Sequence, residues 1–177
     1  MTQPNYRKQE RYARAFERFD SAMAQGFFIE AAMICESVIT DRLHSHVHWR
    51  IEVAGTMSRD VVKENKLRGR LDFKGHGNLG LLIRIIELDF DDLQNKNYSG
   101  LPTRLDDWRA TRNRIAHGIT HTSPALKTYA DSFDTFIESA EQCARLGRPL
   151  LNCLSNWDRS MRRRHVSATK SAKRHVQ

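Results

Sequence analysis

The 177-residue chain has only three cysteines, Cys35, Cys143 and Cys153, and no C-x-x-C spacing among them. An odd count without that spacing excludes a complete disulfide framework and leaves no redox or zinc motif. The thiols therefore read as reduced, buried small hydrophobes of a cytosolic protein. Long apolar runs are missing too. The most apolar stretch, L-G-L-L-I-R-I-I at 79–86, is interrupted and far short of the roughly 20 residues that cross a bilayer. The opening M-T-Q-P-N-Y-R-K-Q-E has no apolar signal region. A soluble, cytoplasmic protein without a membrane partner is the expectation. Strand-type alternation and internal repeats are also lacking, which leaves helices to build the fold.

Charge is present in excess but unevenly. The formal net charge is +8, and residues 157–177 carry Arg159, Arg162, Arg163, Arg164, Lys170, Lys173 and Arg174 against Asp158 alone. That stretch holds most of the excess, so the body is only weakly basic. Clustered cations release counterions from a phosphate backbone, which makes nucleic acid or another anionic partner plausible for this end. A solvated, disordered tail is the equal alternative.

Apolar spacing defines the helices. Tyr12, Phe16, Phe19 and Met23 recur at four, three and four, predicting a helix from about Tyr6 to Gln25 closed by Gly26. Phe27, Ala31, Ile34 and Val38 repeat the spacing, and Leu43 carries the second helix to about His46. Residues 48–77 read as a long excursion, with Ser58 to Leu67 as its one helical candidate. Leu79, Leu82, Ile83, Ile86, Phe90 and Leu93 then form the strongest stripe, a central core helix capped by Asn78. Pro102 and Thr103 with Asp106 make a capping-box signature for the next helix, which ends at Gly118. Ser123 and Pro124 open another, with Leu126, Tyr129, Phe133, Phe136, Ile137, Ala140 and Ala144 as its apolar face. Gly147 and Pro149 are expected to interrupt it before a shorter continuation through Leu150, Leu151, Leu154, Trp157 and Met161. The predicted class is all-α, an antiparallel bundle of four to six helices over residues 1–156 with a basic C-terminal tail over 157–177.

Two motifs point weakly to ligands. G-H-G-N-L-G, Gly75 to Gly80, matches the dinucleotide fingerprint, but no strand precedes it and no βαβ unit surrounds it, so it reads as a flexible approach to the core helix. His44, His46 and His48 alternate in H-S-H-V-H-W, and on a helix His44 and His48 share a face at a spacing used by zinc sites, yet no third ligand or helical acid completes a set, and no metal is expected.

R-N-R-I-A-H-G, Arg112 to Gly118, carries more. Leu105, Trp108 and Ile115 mark the inward stripe of its helix, and Arg112 falls on that stripe, where a guanidinium needs a cleft, an interface or an acid. His117 falls in the last turn, where the helix dipole favours imidazolium and hence an available proton. Arginine and histidine together offer what phosphodiester cleavage needs, a fork-shaped cation and a group that moves a proton near neutral pH. The structural alternative is that Arg112 pairs with a core acid such as Glu36 while His117 caps its helix.

A helical bundle with a late helix carrying Arg, a polar residue, three more residues and His resembles the HEPN superfamily, the higher eukaryotes and prokaryotes nucleotide-binding domains. The resemblance implies a metal-independent endoribonuclease without a cofactor, a toxin or defence effector whose homodimer brings two motifs together. Arg112, Asn113 and His117 take the motif positions. His117 would be general acid or base, Arg112 would stabilise the phosphate, and Asn113 would orient one of them. Arg109, Arg114, Arg162, Arg163 and Arg164 are the candidate RNA contacts, and an antitoxin or regulatory protein is a possible partner. Relatives paired with a nucleotidyltransferase antitoxin carry Tyr two positions after the His, and this chain has Ile119 there. The alternative is a non-catalytic HEPN-like module that binds a partner protein, nucleotide or nucleic acid.

Overall fold

The structure, a computed structural model, describes residues 3–55, 78–88, 90, 96–118 and 129–174. Among them the fold is all-α, as the spacing predicts, with five α-helices and no strand: α1 Gln3–Ala24, α2 Phe28–His48, α3 Leu79–Glu87, α4 Leu101–Gly118 and α5 Tyr129–Arg174. A π-helical turn, Trp49–Val53, continues α2, and a 3-10 turn, Lys96–Tyr98, precedes α4. The Ser58 to Leu67 candidate helix, Gly75 to Gly77, Leu93, the Ser123–Pro124 cap and Leu126 lie outside the described residues.

The chain divides into two compact units, one of Met1–Ile39 with Arg104–Leu151 and one of Thr40–Thr103 with Asn152–Gln177. In the first, α1 ends as Gly26 predicts. Gly26 adopts φ 78°, its N–H donates to Met23 O at 3.3 Å, and Phe27 N–H donates to Ala22 O at 2.8 Å. These two bonds close the helix as a Schellman motif and start α2 immediately. Phe19, Ala31, Cys35, Val38, Trp108, Ile115, Ala140 and Cys143 are buried in this unit. α4 and the first part of α5 run antiparallel there, since Trp108 meets Gly147 and Cys143 while Gly118, further along α4, meets Phe136, earlier on α5.

The second unit is centred on α3. Asn78 caps it as expected, its Oδ1 accepting from Gly80 N–H at 2.9 Å, and Leu79, Leu82, Ile83, Ile85 and Ile86 are all buried. The helix is shorter than its stripe suggests, stopping at Glu87, although Phe90 still reaches the core with its ring 5.5 Å from that of Trp157.

Two boundaries differ from expectation. α4 starts at Leu101, two residues before the Thr103 cap position. Gly100 takes a left-handed φ of 65° just ahead of it, and Pro102 falls in the first turn, where a missing N–H leaves no bond unmade. α5 runs unbroken through Gly147 and Pro149 to Arg174, so residues 157–174 are helix rather than a separate tail. Gly147 is selected by close packing. A Cβ there would lie 3.0 Å from Cys35 Cβ and 3.1 Å from Trp108 Cζ2. Pro149 lies on an exposed position, where water can satisfy the carbonyl that its missing N–H leaves unpaired.

Candidate functional site

α4 carries the motif, and its inward stripe is as read: Leu105, Trp108 and Ile115 are buried. Arg112, on that stripe, has 14% of its side chain exposed and forms an ion pair with Glu36 of α2, itself 16% exposed. The core acid anticipated as the structural alternative is therefore present. Burial, moderated by Cys143 nearby, holds the Arg112 guanidinium below its ordinary pKa, though an arginine remains charged at neutral pH. Among the described residues its Nε has no hydrogen-bond partner.

α4 stays helical through Gly118, and that decides how the motif is displayed. Five residues turn an α-helix by about 140°, so Arg112 and His117 diverge, one toward Glu36 and the other to solvent. Asn113 and His117 lie one turn apart on the same face, Asn113 half-buried and His117 exposed. The structure thus brings Arg112 to Glu36 and sets Asn113 beside His117, without gathering all three on one surface of one chain. Gly118 ends the helix without a left-handed backbone; a Cβ there would lie 3.2 Å from Phe136 Cε2, so close approach to α5 selects the glycine.

The other candidate RNA contacts separate into committed and presented groups. Arg109 Nε donates to Asp106 Oδ1 at 2.9 Å, and Arg114, exposed, donates to Thr111 Oγ1 at 3.2 Å. Arg162 Nε donates to both Asp158 oxygens at 2.9 and 3.0 Å, its Nη2 donates to Ser45 O at 3.2 Å, and its guanidinium lies 4.8 Å from the Trp49 ring. Arg163 and Arg164 are exposed.

A buried polar cluster in the second unit escaped the sequence reading. His46, 2% exposed, places Nδ1 2.7 Å from Asp158 Oδ1, with Trp157 and Trp49 ring centroids at 4.4 and 5.6 Å. A carboxylate accepts, so Nδ1 carries the proton and donates. Burial pushes His46 below its ordinary pKa against the pull of Asp158, so the ring is neutral at pH 7. Burial alone would raise the Asp158 carboxyl, but the hydrogen bonds and charges of His46 and Arg162 bring it below its usual range. The signal was available: Ile39, Leu43, His46 and Val47 continue one inward stripe, and His46 breaks it just as Arg112 breaks that of α4. Among the described residues no group of three or more His, Cys, Asp or Glu is placed to hold a metal ion.

A cavity of about 340 Å³ lies between α4 and α5 in the first unit, lined by Trp108, Thr111, Cys143, Leu146 and Leu150 among others. Trp108 forms its wall while donating from Nε1 to Cys143 O at 2.9 Å. Nine residues separate Trp108 from His117, half a turn beyond whole turns, so the cavity opens on the side of α4 away from the histidine. Compared with known protein families, curated proteins and solved structures, the chain matches none. Among the described residues no helix is long and apolar enough to cross a membrane.

Proposed function

We propose that this chain is a metal-independent endoribonuclease of the HEPN kind, a toxin or defence effector whose site is completed in a homodimer. The observation that carries the reading is the end of α4, where His117 is exposed in the last turn with Asn113 one turn before it, in a motif whose arginine is held in place by Glu36. In the proposed reaction the ribose 2′-hydroxyl oxygen attacks the adjacent phosphorus and gives up its proton, and the P–O5′ bond breaks as O5′ takes one. The products are a 2′,3′-cyclic phosphate and a 5′-hydroxyl end. His117 moves a proton in this exchange, and Arg112 stabilises charge on the phosphate oxygens. Because the two side chains of one chain diverge, a phosphate touches both functions only where two copies bring their α4 ends together.

The Glu36 pairing also favours a second reading. A guanidinium already neutralised by a carboxylate attracts phosphate weakly, which suits a non-catalytic module that binds a partner protein, nucleotide or nucleic acid through the face of exposed His117 and half-buried Asn113. Cutting of single-stranded RNA in EDTA separates the two. The enzyme reading expects cleavage by the wild type and a loss of about 10²-fold or more in His117→Ala with fold and dimer retained. Equal cleavage by both, or none by the wild type, overturns it, and the latter result supports the binding module.

A further inference from the structure

The geometry points to a phosphodiester-binding stripe along the outer face of the C-terminal part of α5, built on Arg159 and Arg163 and distinct from the α4 motif. The helix is continuous to Arg174, so its register is fixed. At about 100° per residue, positions 159, 163, 170 and 173 fall within an arc of about 80° and extend along about 21 Å of axis. Each of those positions is Arg or Lys, and no Asp or Glu occurs anywhere from 159 to the end of the chain.

The opposite side of the same helix is spoken for. Leu154 and Trp157, both 0% exposed, lie across from Arg159 and pack into the core of the second unit. Arg162, between the two sides, is bound to Asp158, Ser45 O and the Trp49 ring, so its charge is neutralised at home. Arg159 and Arg163 differ in kind. Arg159 is exposed and donates only to neutral oxygens of its own helix, Ser155 O at 3.2 Å and Asn156 Oδ1 at 2.9 Å, and Arg163 is exposed beside it. The fold therefore sorts the arginines of this run, turning Arg162 inward to an acid and leaving Arg159 and Arg163 outward, with no ion pair to either among the described residues.

A row of Arg and Lys positions along one continuous helix matches a polymer carrying phosphates at regular intervals, about one charge per 1.7 Å of duplex axis. A membrane surface suits it less. Helices that lie on bilayers pair a basic face with a broad exposed apolar one, and here Val166 is the one exposed large apolar residue described between 159 and 169. The stripe binds nucleic acid through backbone charge, without base preference. It rests on RNA as the partner class proposed above, but not on cleavage.

The test measures binding of a fluorescein-labelled oligouridine longer than the stripe by anisotropy over a salt series, using full-length protein in the His117→Ala background so that the probe stays intact. Arg159→Gln with Arg163→Gln is expected to weaken binding about tenfold and to reduce the slope of log K against log salt by about 1.4, two contacts at 0.7 each on a single strand. Arg145→Gln, exposed on the same helix but in the first unit and paired with Glu141, is expected to leave the slope unchanged. An unchanged slope in the double variant, or an equal drop in Arg145→Gln, overturns the stripe. So does a double variant that keeps its RNA affinity but loses binding to phosphatidylserine vesicles. A wild type that cuts no RNA in EDTA, with the slope change of the double variant intact, would instead count against the proposed function alone.

Discussion

Arg112 and His46 show how one residue can decide what a helix position means. Each replaces an apolar residue on an inward stripe, and each is answered by a carboxylate, Glu36 or Asp158. Removing one partner strands the other, so Glu36→Gln is expected to destabilise the protein by about 2 kcal/mol in urea unfolding, below the 3–5 kcal/mol of a fully buried pair. Glu36→Leu with Arg112→Met should recover most of that loss. A double variant as unstable as the single one would mean that the pair does more than satisfy itself. His46 makes stability depend on pH. The unfolded chain protonates this ring near its ordinary value of 6.5, whereas burial keeps the folded ring neutral to lower pH. Below 6.5 the unfolded state therefore binds more protons, and stability falls as pH drops from there until the folded ring also protonates. Asp158, held below its ordinary 3.8, adds a further loss in stronger acid, as pH falls through its folded value. Urea midpoints from about pH 7.5 to 5 should decline in the wild type and decline less in His46→Asn; parallel curves would remove His46 as the cause.

At the level of the element, α5 holds the sharpest contrast between pattern and packing. Gly147→Ala improves helix propensity by about 1 kcal/mol, yet its Cβ would press on Cys35 and Trp108 at 3.0 and 3.1 Å, and overpacking costs about 1–3 kcal/mol. A net fall in melting temperature is expected. Pro149→Ala, at an exposed position, restores a helical N–H without adding bulk and is expected to raise it. Opposite results in thermal unfolding would show that Pro149 is needed for the path of α5. These two residues also mark where sequence stops being informative. The apolar spacing located α1, α2, α3 and α4 because one face of each is buried, and period alone reports burial. It ended α5 at Gly147 because glycine and proline usually punctuate, and nothing local reveals that Cys35 and Trp108 lie close enough to demand a glycine inside a helix. The motif behaved similarly. The positions of Arg112 and His117 on α4 were legible, but their divergence needed the knowledge that α4 remains regular through Gly118. The pairing of His46 with Asp158, 112 residues apart, is invisible to any local window.

On the scale of the whole molecule, each compact unit has its own buried core, one around Cys35, Trp108 and Cys143 and the other around α3 and Trp157. The net positive charge concentrates at the end of α5, so weak association with polyanions at low salt is a property of that end rather than of the surface at large. The thiols supply a consequence of another sort. Burial pushes Cys35 up to about 12 and Cys143 up to about 11, so neither reacts as a thiolate while its core is closed. Cys153 is only half-buried. Under native conditions an alkylating reagent should modify Cys153 first, then Cys35 and Cys143 together at a rate set by how often their core opens. Mass spectrometry of peptides over time checks this, and early labelling of Cys35 alone would contradict it. The slow pair thus converts a chemical rate into the free energy of opening of one half of the chain, measured in plain buffer, with Cys153 as the internal clock.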